Sequence, residues 1–495
     1  MGFSFDVVVV GGGGAGLSAA LEAARLGRSV LVIEKMPYLL GTTGRSVGSV
    51  TATSTALQKS AGIDDFPKDH FDDMAKFGEA AQPDASLRDN LELRRLLVEN
   101  VPETVRQLTA MGVTFIGPMP EPPHGRPRMH NIIPHSRAYI YHLERACRKA
   151  GVTFLLDTRV TRLIAKNERV AGVEAISDGK SIVVEARCGV VLAAGDYSSS
   201  KEMKARFVSN EIADIEGINP NSTGDGHAMA LELGAEIVMG QVMLGPEIRF
   251  VAPQRKKLIQ RLPPSKSFAQ MMRIAMNILP NWLLRPFFMM FVTTNLSPSL
   301  ALFDEGAVLV NKLGKRFVNE RDRPQLAIAQ QPDRIAFILM DDSVARKFSQ
   351  WPHFVSTAPG VAYAYVRDYK RSRGDIYATA NTIEELAVLL KVPPETLRGT
   401  IDAYNVDLPP GAPPIAKPPF HALGPAKSWI VLTDGGLKVS TRLEVLDKSG
   451  KAIPGLFAAG SNGQGGLLLE GHGHHLGWAF TSGRLAGRSA ASSSQ

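Results

Sequence analysis

Gly11, Gly13 and Gly16 stand in a G-x-G-x-x-G turn, and Glu34 follows Gly16 by 18 residues. That spacing fits a dinucleotide. The first glycine permits a tight turn, the second lets backbone approach a pyrophosphate, and the third lets a helix pack closely on a strand. The helix N-terminus offers free N–H groups to phosphate, and the Glu34 carboxylate can accept from a ribose hydroxyl. A second cluster lies near the C-terminus, where His472-Gly473-His474-His475 sets three imidazoles on one short loop. Three ligands on so short a loop make a poor zinc site, so no metal is expected. A capping or packing role and a contact with a bound molecule both stay open. Asp225, in Gly224-Asp225-Gly226, stands at an expected helix N-terminus, where capping is the simplest role.

The elements that position these residues follow from pattern. Val7–Val10 is an unbroken apolar run, as in a strand buried on both faces, and a small, apolar helix is expected over 15–26. A second strand is expected over 28–33. The loop after it, through Thr42, Thr43, Ser46 and Gly48, is rich in hydroxyls and glycine, so a cofactor can lie against its backbone. A 3.6-residue apolar period predicts helix through 91–108, with Gly112 as its C-cap. Strands are expected over 152–156 and 160–164, and a hairpin over 170–184 turning at Asp178-Gly179. Gly189–Gly195 and Leu456–Gly460 read as further strands of the first sheet, and 478–488 as a final helix.

Composition narrows the class. The chain has 495 residues, 44% hydrophobic and 21% charged, with net charge +8. That length favours two domains, and the charge reads as a basic surface rather than a nucleic-acid site. Two cysteines, Cys147 and Cys188, form no haem or iron–sulfur motif. A strand by Phe5 leaves no room for a signal peptide, so a cytoplasmic protein is expected. From Ile248 to Phe303 there is no acidic residue, and eight basic ones alternate with Met, Phe, Ile, Leu and Trp. This stretch fits peripheral contact with the inner face of a membrane, an apolar cap over a greasy substrate, or a buried helical hairpin with a basic outer face.

Together these features resemble the flavoprotein family of fumarate reductase, succinate dehydrogenase and 3-ketosteroid dehydrogenases. The resemblance rests on the N-terminal turn, Gly41-Thr42-Thr43, Ala193-Ala194-Gly195, Thr223–Gly226, Gly314–Glu320, Thr433-x-Gly435-Gly436, Pro454–Gly460 and the glycine-rich run to Gly483-Arg484. It implies an α/β fold: a Rossmann-like FAD-binding domain split over 1–243 and 363–495, with an α+β substrate or cap domain inserted at 244–362. It implies FAD, held by Gly11, Gly13, Gly14, Ala15, Gly16, Glu34, Lys35, Thr42, Thr43, Ser46, Gly48, Val160, Ala194, Gly195, Asp225, Gly460, His475 and Leu476. The absence of histidine before His70 implies that the FAD is non-covalent.

The resemblance also implies hydride exchange at flavin N5 across a CH–CH bond beside a carbonyl, with an external electron donor or acceptor. Dicarboxylate reducers carry cations in the last glycine-rich loop, where this chain has Leu469 and Glu470. The ketosteroid branch fits better: Gly473 matches its ketone-polarising amide, although its tyrosine is replaced by Leu469. His472, His474 or His475 can supply the missing donor. For proton transfer Arg321, Tyr363 and Tyr365 are the candidates, with His130 behind them. The expected substrate is a hydrophobic, steroid-like ketone or enone; the runner-up readings are a small unsaturated carboxylate and a membrane-surface electron-transfer subunit.

Overall fold

The architecture was read from a computed structural model, which describes residues 3–81, 87–253, 262–358 and 362–493. Five parallel strands build the first sheet: β1 (Phe3–Val10), β2 (Val30–Ile33), β3 (Thr153–Leu155), β4 (Lys180–Leu192) and β5 (Ala452–Ala458). They lie in the order β5-β4-β1-β2-β3. β1 is central, pairing Val7 with Val30 on one side and Gly189 on the other. Its valines are buried on both faces, which is why the run carries no alternation. The segments Thr158–Lys166 and Arg169–Ser177 form an antiparallel meander running into β4. The expected turn is there, with Asp178 at φ 48° and Gly179 at φ 74°.

Six helices matter to the site: α1 (Gly14–Arg25), α2 (Leu91–Met111), α3 (Arg137–Lys149), α4 (Lys266–Ile278), α5 (Asn281–Asn295) and α6 (His474–Ser492). α1 packs between α3 and α6. A Cβ at Gly483 would fall 2.2 Å from the Ala15 carbonyl oxygen, and one at Gly487 2.2 Å from that of Ala19. The first and last helices therefore touch backbone to backbone. α6 starts four residues earlier than the expected 478, because Gly473 takes φ 95° and turns the chain into the helix.

The second sheet is antiparallel: Glu247–Phe250, Phe420–Trp429, Ala336–Met340 and Val308–Asn311 in that order, with Tyr377–Ala380 also on Phe420–Trp429. Its residues alternate between two cores. Leu309, Ile338 and Leu423 face one, and Val308, Leu339 and Ala422 face the other. Two of its strands lie beyond residue 363, so the return expected there falls inside this unit's own chain. The ladder that pairs Phe420–Trp429 with Glu247–Phe250 is the reason.

Gly487→Ala forces α1 and α6 apart. The expected loss is about 2 kcal/mol, read as a lower urea midpoint together with weaker retention of flavin. An unchanged midpoint and flavin content would show that the helices have room to spare.

Candidate functional site

The turn after β1 opens into a cleft. Gly11 sits at φ 107°, and a Cβ there would lie 2.4 Å from the Ala193 carbonyl oxygen. A Cβ at Gly16 would lie 1.9 Å from the Gly11 carbonyl oxygen, so the third glycine does allow helix and strand to close up. Gly13, Gly14, Ala15, Lys35, Thr42, Thr43, Ala194, Gly195 and Gly460 also line the cleft. Glu34 lines it too, while its two oxygens accept from the Gly12 amide (2.7 Å) and the Met36 amide (2.9 Å). A wall of glycine backbone and short hydroxyl side chains fits a pyrophosphate and two nucleotide halves. No histidine is among the lining residues.

Other expected residues support the cleft without lining it. Asp225 binds Lys35 (2.7 Å) and Arg159 (2.8 Å). Burial opposes its charge, yet these two cations hold its carboxyl below the usual range. Ser46 donates to the Thr43 carbonyl, and the Gly48 carbonyl accepts from the Tyr139 hydroxyl (2.8 Å). The Val160 side chain is buried in the core opposite Ala175, and Leu476 packs against the same core. Asn219, Asn221 and Ser222 line the cleft but were not anticipated. Asn219 donates to the Thr42 hydroxyl at 2.8 Å. The run Asn219-Pro-Asn-Ser just before Thr223 carried that signal in its short polar side chains.

α6 touches the cleft through Ala479, not through its first residues. Ala479 lines the cleft, so Gly473 lies six residues up the helix, about 9 Å away. The first amides of α6 have no helical acceptor and carry the positive end of its dipole. Thr51, just after the threonine loop, fixes this corner: its hydroxyl donates to the His472 carbonyl (2.5 Å) and its amide to that of Gly473 (3.3 Å).

The histidines separate by environment. The His472 side chain is 53% exposed, and its Nδ1 donates to Glu121 Oε1 at 2.5 Å. The same oxygen accepts the His472 amide at 2.8 Å. That hydrogen bond raises the His472 pKa above its ordinary value, against the cost of burial. His475 donates from Nε2 to Asp434, which Gln464 also holds (2.8 Å each). His474 is wholly buried, packed with His70 and His124. Nitrogens of these three rings lie within 4.8 Å of one another, a spacing that by distance alone admits a metal. Their hydrogen bonds describe something else. His474 Nδ1 donates to the Glu470 carbonyl, leaving Nε2 to accept from His70 Nε2 (3.0 Å). His124 Nδ1 accepts from Arg128 (3.0 Å), a buried cation that disfavours a second one beside it. Arg128 is fully buried between Asp65 (2.6 Å) and Asp73 (2.5 Å).

The remaining candidates lie elsewhere. Arg321 reaches the Pro410 carbonyl (3.2 Å) and Asp304 (3.4 Å) on the surface of the second unit, so it is dropped as a proton donor. Tyr363 packs on Trp351 and Phe354, while Tyr365 lies under Arg285 and Arg367. His130 is buried, bonded to Thr55 (2.8 Å) and the Arg128 carbonyl (2.7 Å). Glu121 and His70 were missed. Glu121 stands in a proline-rich loop 351 positions from its partner, and no local pattern marks that pairing.

Residues 6–262 and 268–467 match the family model described as FAD binding domain. The chain belongs to this FAD-binding family. It is 28% identical over 467 residues to the NADH:fumarate oxidoreductase of Klebsiella pneumoniae (strain 342), an alignment covering 92% of this chain and 44% of the relative. The chain thus spans about half the length of the curated relatives it matches first. The open form of a flavocytochrome c3 fumarate reductase superposes with TM-score 0.71 at 25% identity, covering 99% of this chain and 78% of that one. The 3-ketosteroid-Δ4-(5α)-dehydrogenase from Rhodococcus jostii RHA1 superposes with TM-score 0.59 at 26% identity, covering 99% and 97%.

Burial holds the pKa values of His70, His124 and His474 down, to about 3 for His124 and about 4 for His474. The unfolded chain takes up protons below about pH 6.5 that the folded cluster refuses. Stability is therefore full above that pH and falls as the pH drops toward 4, by up to about 1.4 kcal/mol per pH unit for each excluded proton. Urea midpoints measured across this range should show the slope, and His124→Gln should flatten it. A midpoint independent of pH would contradict the buried neutral state.

Proposed function

We propose that the protein is an FAD-dependent oxidoreductase acting on a CH–CH bond beside the ketone of a cyclic or lipidic, steroid-like substrate. The observation that carries this reading is the imidazole of His472, held by Glu121 beside the N-terminus of α6. Bound FAD supplies the two-electron exchange with one carbon of that bond. The chain's own residues handle charge on the oxygen and the proton. The His472 imidazolium and the first α6 amides stabilise negative charge that builds on a carbonyl oxygen. Thr51 keeps that corner in register with the threonine loop. Leu469 is buried and its neighbour Glu470 is acidic, so this loop brings no guanidinium pair to clamp two carboxylates. An external partner completes the electron balance.

A second reading, reduction of a small unsaturated carboxylate, draws on the name of the Klebsiella relative and on the His472 cation, which can hold one carboxylate. Anaerobic titration separates the two. Under the first reading a 3-ketosteroid bleaches the oxidised flavin, or the corresponding enone reoxidises the reduced flavin, and succinate and fumarate do neither at a comparable rate. Faster reoxidation by fumarate or acrylate than by any cyclic enone would overturn it.

The role given to His472 has its own pH signature. The active form is protonated, so kcat/KM should fall as pH rises through the raised pKa of His472. Glu121→Gln should move that limb to lower pH. His472→Gln should remove it and cost roughly a hundredfold in kcat. An unshifted limb in Glu121→Gln would assign the titration to another group.

A further inference from the structure

The segment without acidic residues builds α4 and α5, and it is far from buried. Met271, Ile274 and Ile278 stand at helical spacing along α4, exposed by 57%, 58% and 75%. Trp282, 73% exposed, continues the stripe onto α5, and Leu279 and Leu283 flank the joint. The opposite sides are anchored. Ala269 of α4 is buried, and α4 packs on the strands Thr114–Met119 and Met129–Ile133 of the first unit. Met289 and Val292 of α5 belong to a core of the second unit. The helical joint therefore projects its largest apolar side chains outward from a braced base.

Charge accompanies the apolar stripe. Arg249 and Arg285 are held inward by Glu247 and Asp368. Lys266 and Arg273 are exposed and have no ion pair among the described residues. Arg255, Lys256, Lys257 and Arg261 lie outside the described residues, yet they add four positive charges to the same sequence. The buried-hairpin reading does not hold for the described part of this stretch. A cap serving only a substrate would turn its stripe inward. No helix among the described residues is long and apolar enough to cross a membrane. Exposed apolar side chains beside two cations that have no ion pair among the described residues, on a pair of helices too short to span, suit the interface of an anionic bilayer.

We propose that α4 and α5 dock the protein on an anionic lipid surface, with Ile274, Ile278 and Trp282 in the acyl boundary and Lys266 and Arg273 at the headgroups. α4 rests on the two strands Thr114–Met119 and Met129–Ile133, with Lys266 at their open end beside Gly112. The docking itself does not depend on the ketone reading, and it is tested without any substrate.

The test is co-sedimentation of the FAD-loaded protein with vesicles of equal parts phosphatidylglycerol and phosphatidylcholine, against phosphatidylcholine alone. The wild type should pellet with the anionic vesicles and be released by salt. Lys266→Glu with Arg273→Glu should weaken partitioning on the order of tenfold. Ile274→Ser, Ile278→Ser and Trp282→Ser together should reduce it to background while the flavin spectrum stays unchanged. A wild type that stays in the supernatant, or a triple variant that pellets equally, overturns the proposal. So does a wild-type dimer that dissociates on Trp282→Ser in the absence of any vesicle binding, which would make the patch a self-association face.

Discussion

Backbone lies against backbone where α1 meets its neighbours at Gly16, Gly483 and Gly487. Gly16 lets α1 settle on the turn from β1, and the two glycines of α6 let the last helix settle on α1. The cleft is the gap left between these contacts. Any side chain at those positions would widen it at the end where phosphates must meet amide donors. Because α1 is braced from both ends of the chain, the N-terminal turn and the C-terminal helix act as one rigid body, and the threonine loop is stitched to that body through Thr51. The site is thus assembled from segments more than four hundred positions apart, without a disulfide among the described residues.

Much of this was legible because its cause is local. The G-x-G-x-x-G turn, the unbroken valines of β1, the glycine cap of α2 and the Asp178-Gly179 turn each follow from a few adjacent residues. The family model agrees with the expected FAD. What was not legible depended on tertiary pairing. The second sheet recruits Tyr377–Ala380 and Phe420–Trp429 from beyond the expected return, and no pattern within either strand states which unit it joins. Glu121 meets His472 only because the last loop folds over the proline-rich one.

The three histidines of the last loop show how burial sorts identical side chains. One sequence run places an imidazole at the surface beside a carboxylate, another in a dry cluster, and a third against an aspartate at the base of the loop. The first is pushed toward its cation and the second toward its neutral form by the same physics with opposite balance. The first keeps the most exposed ring of the three. Residue type alone offered three equal candidates; the differences lie in the chain that packs over them.

The discontinuous second unit has a consequence for how such a molecule can change over generations. The glycine cradle, His472 and its carboxylate all belong to the first unit, whereas half of the outward helical joint is rooted in the second. The glycine cradle and the exposed helical joint therefore lie on separate stretches of one gene. A lineage can exchange the inserted stretch while the glycine cradle is passed on intact.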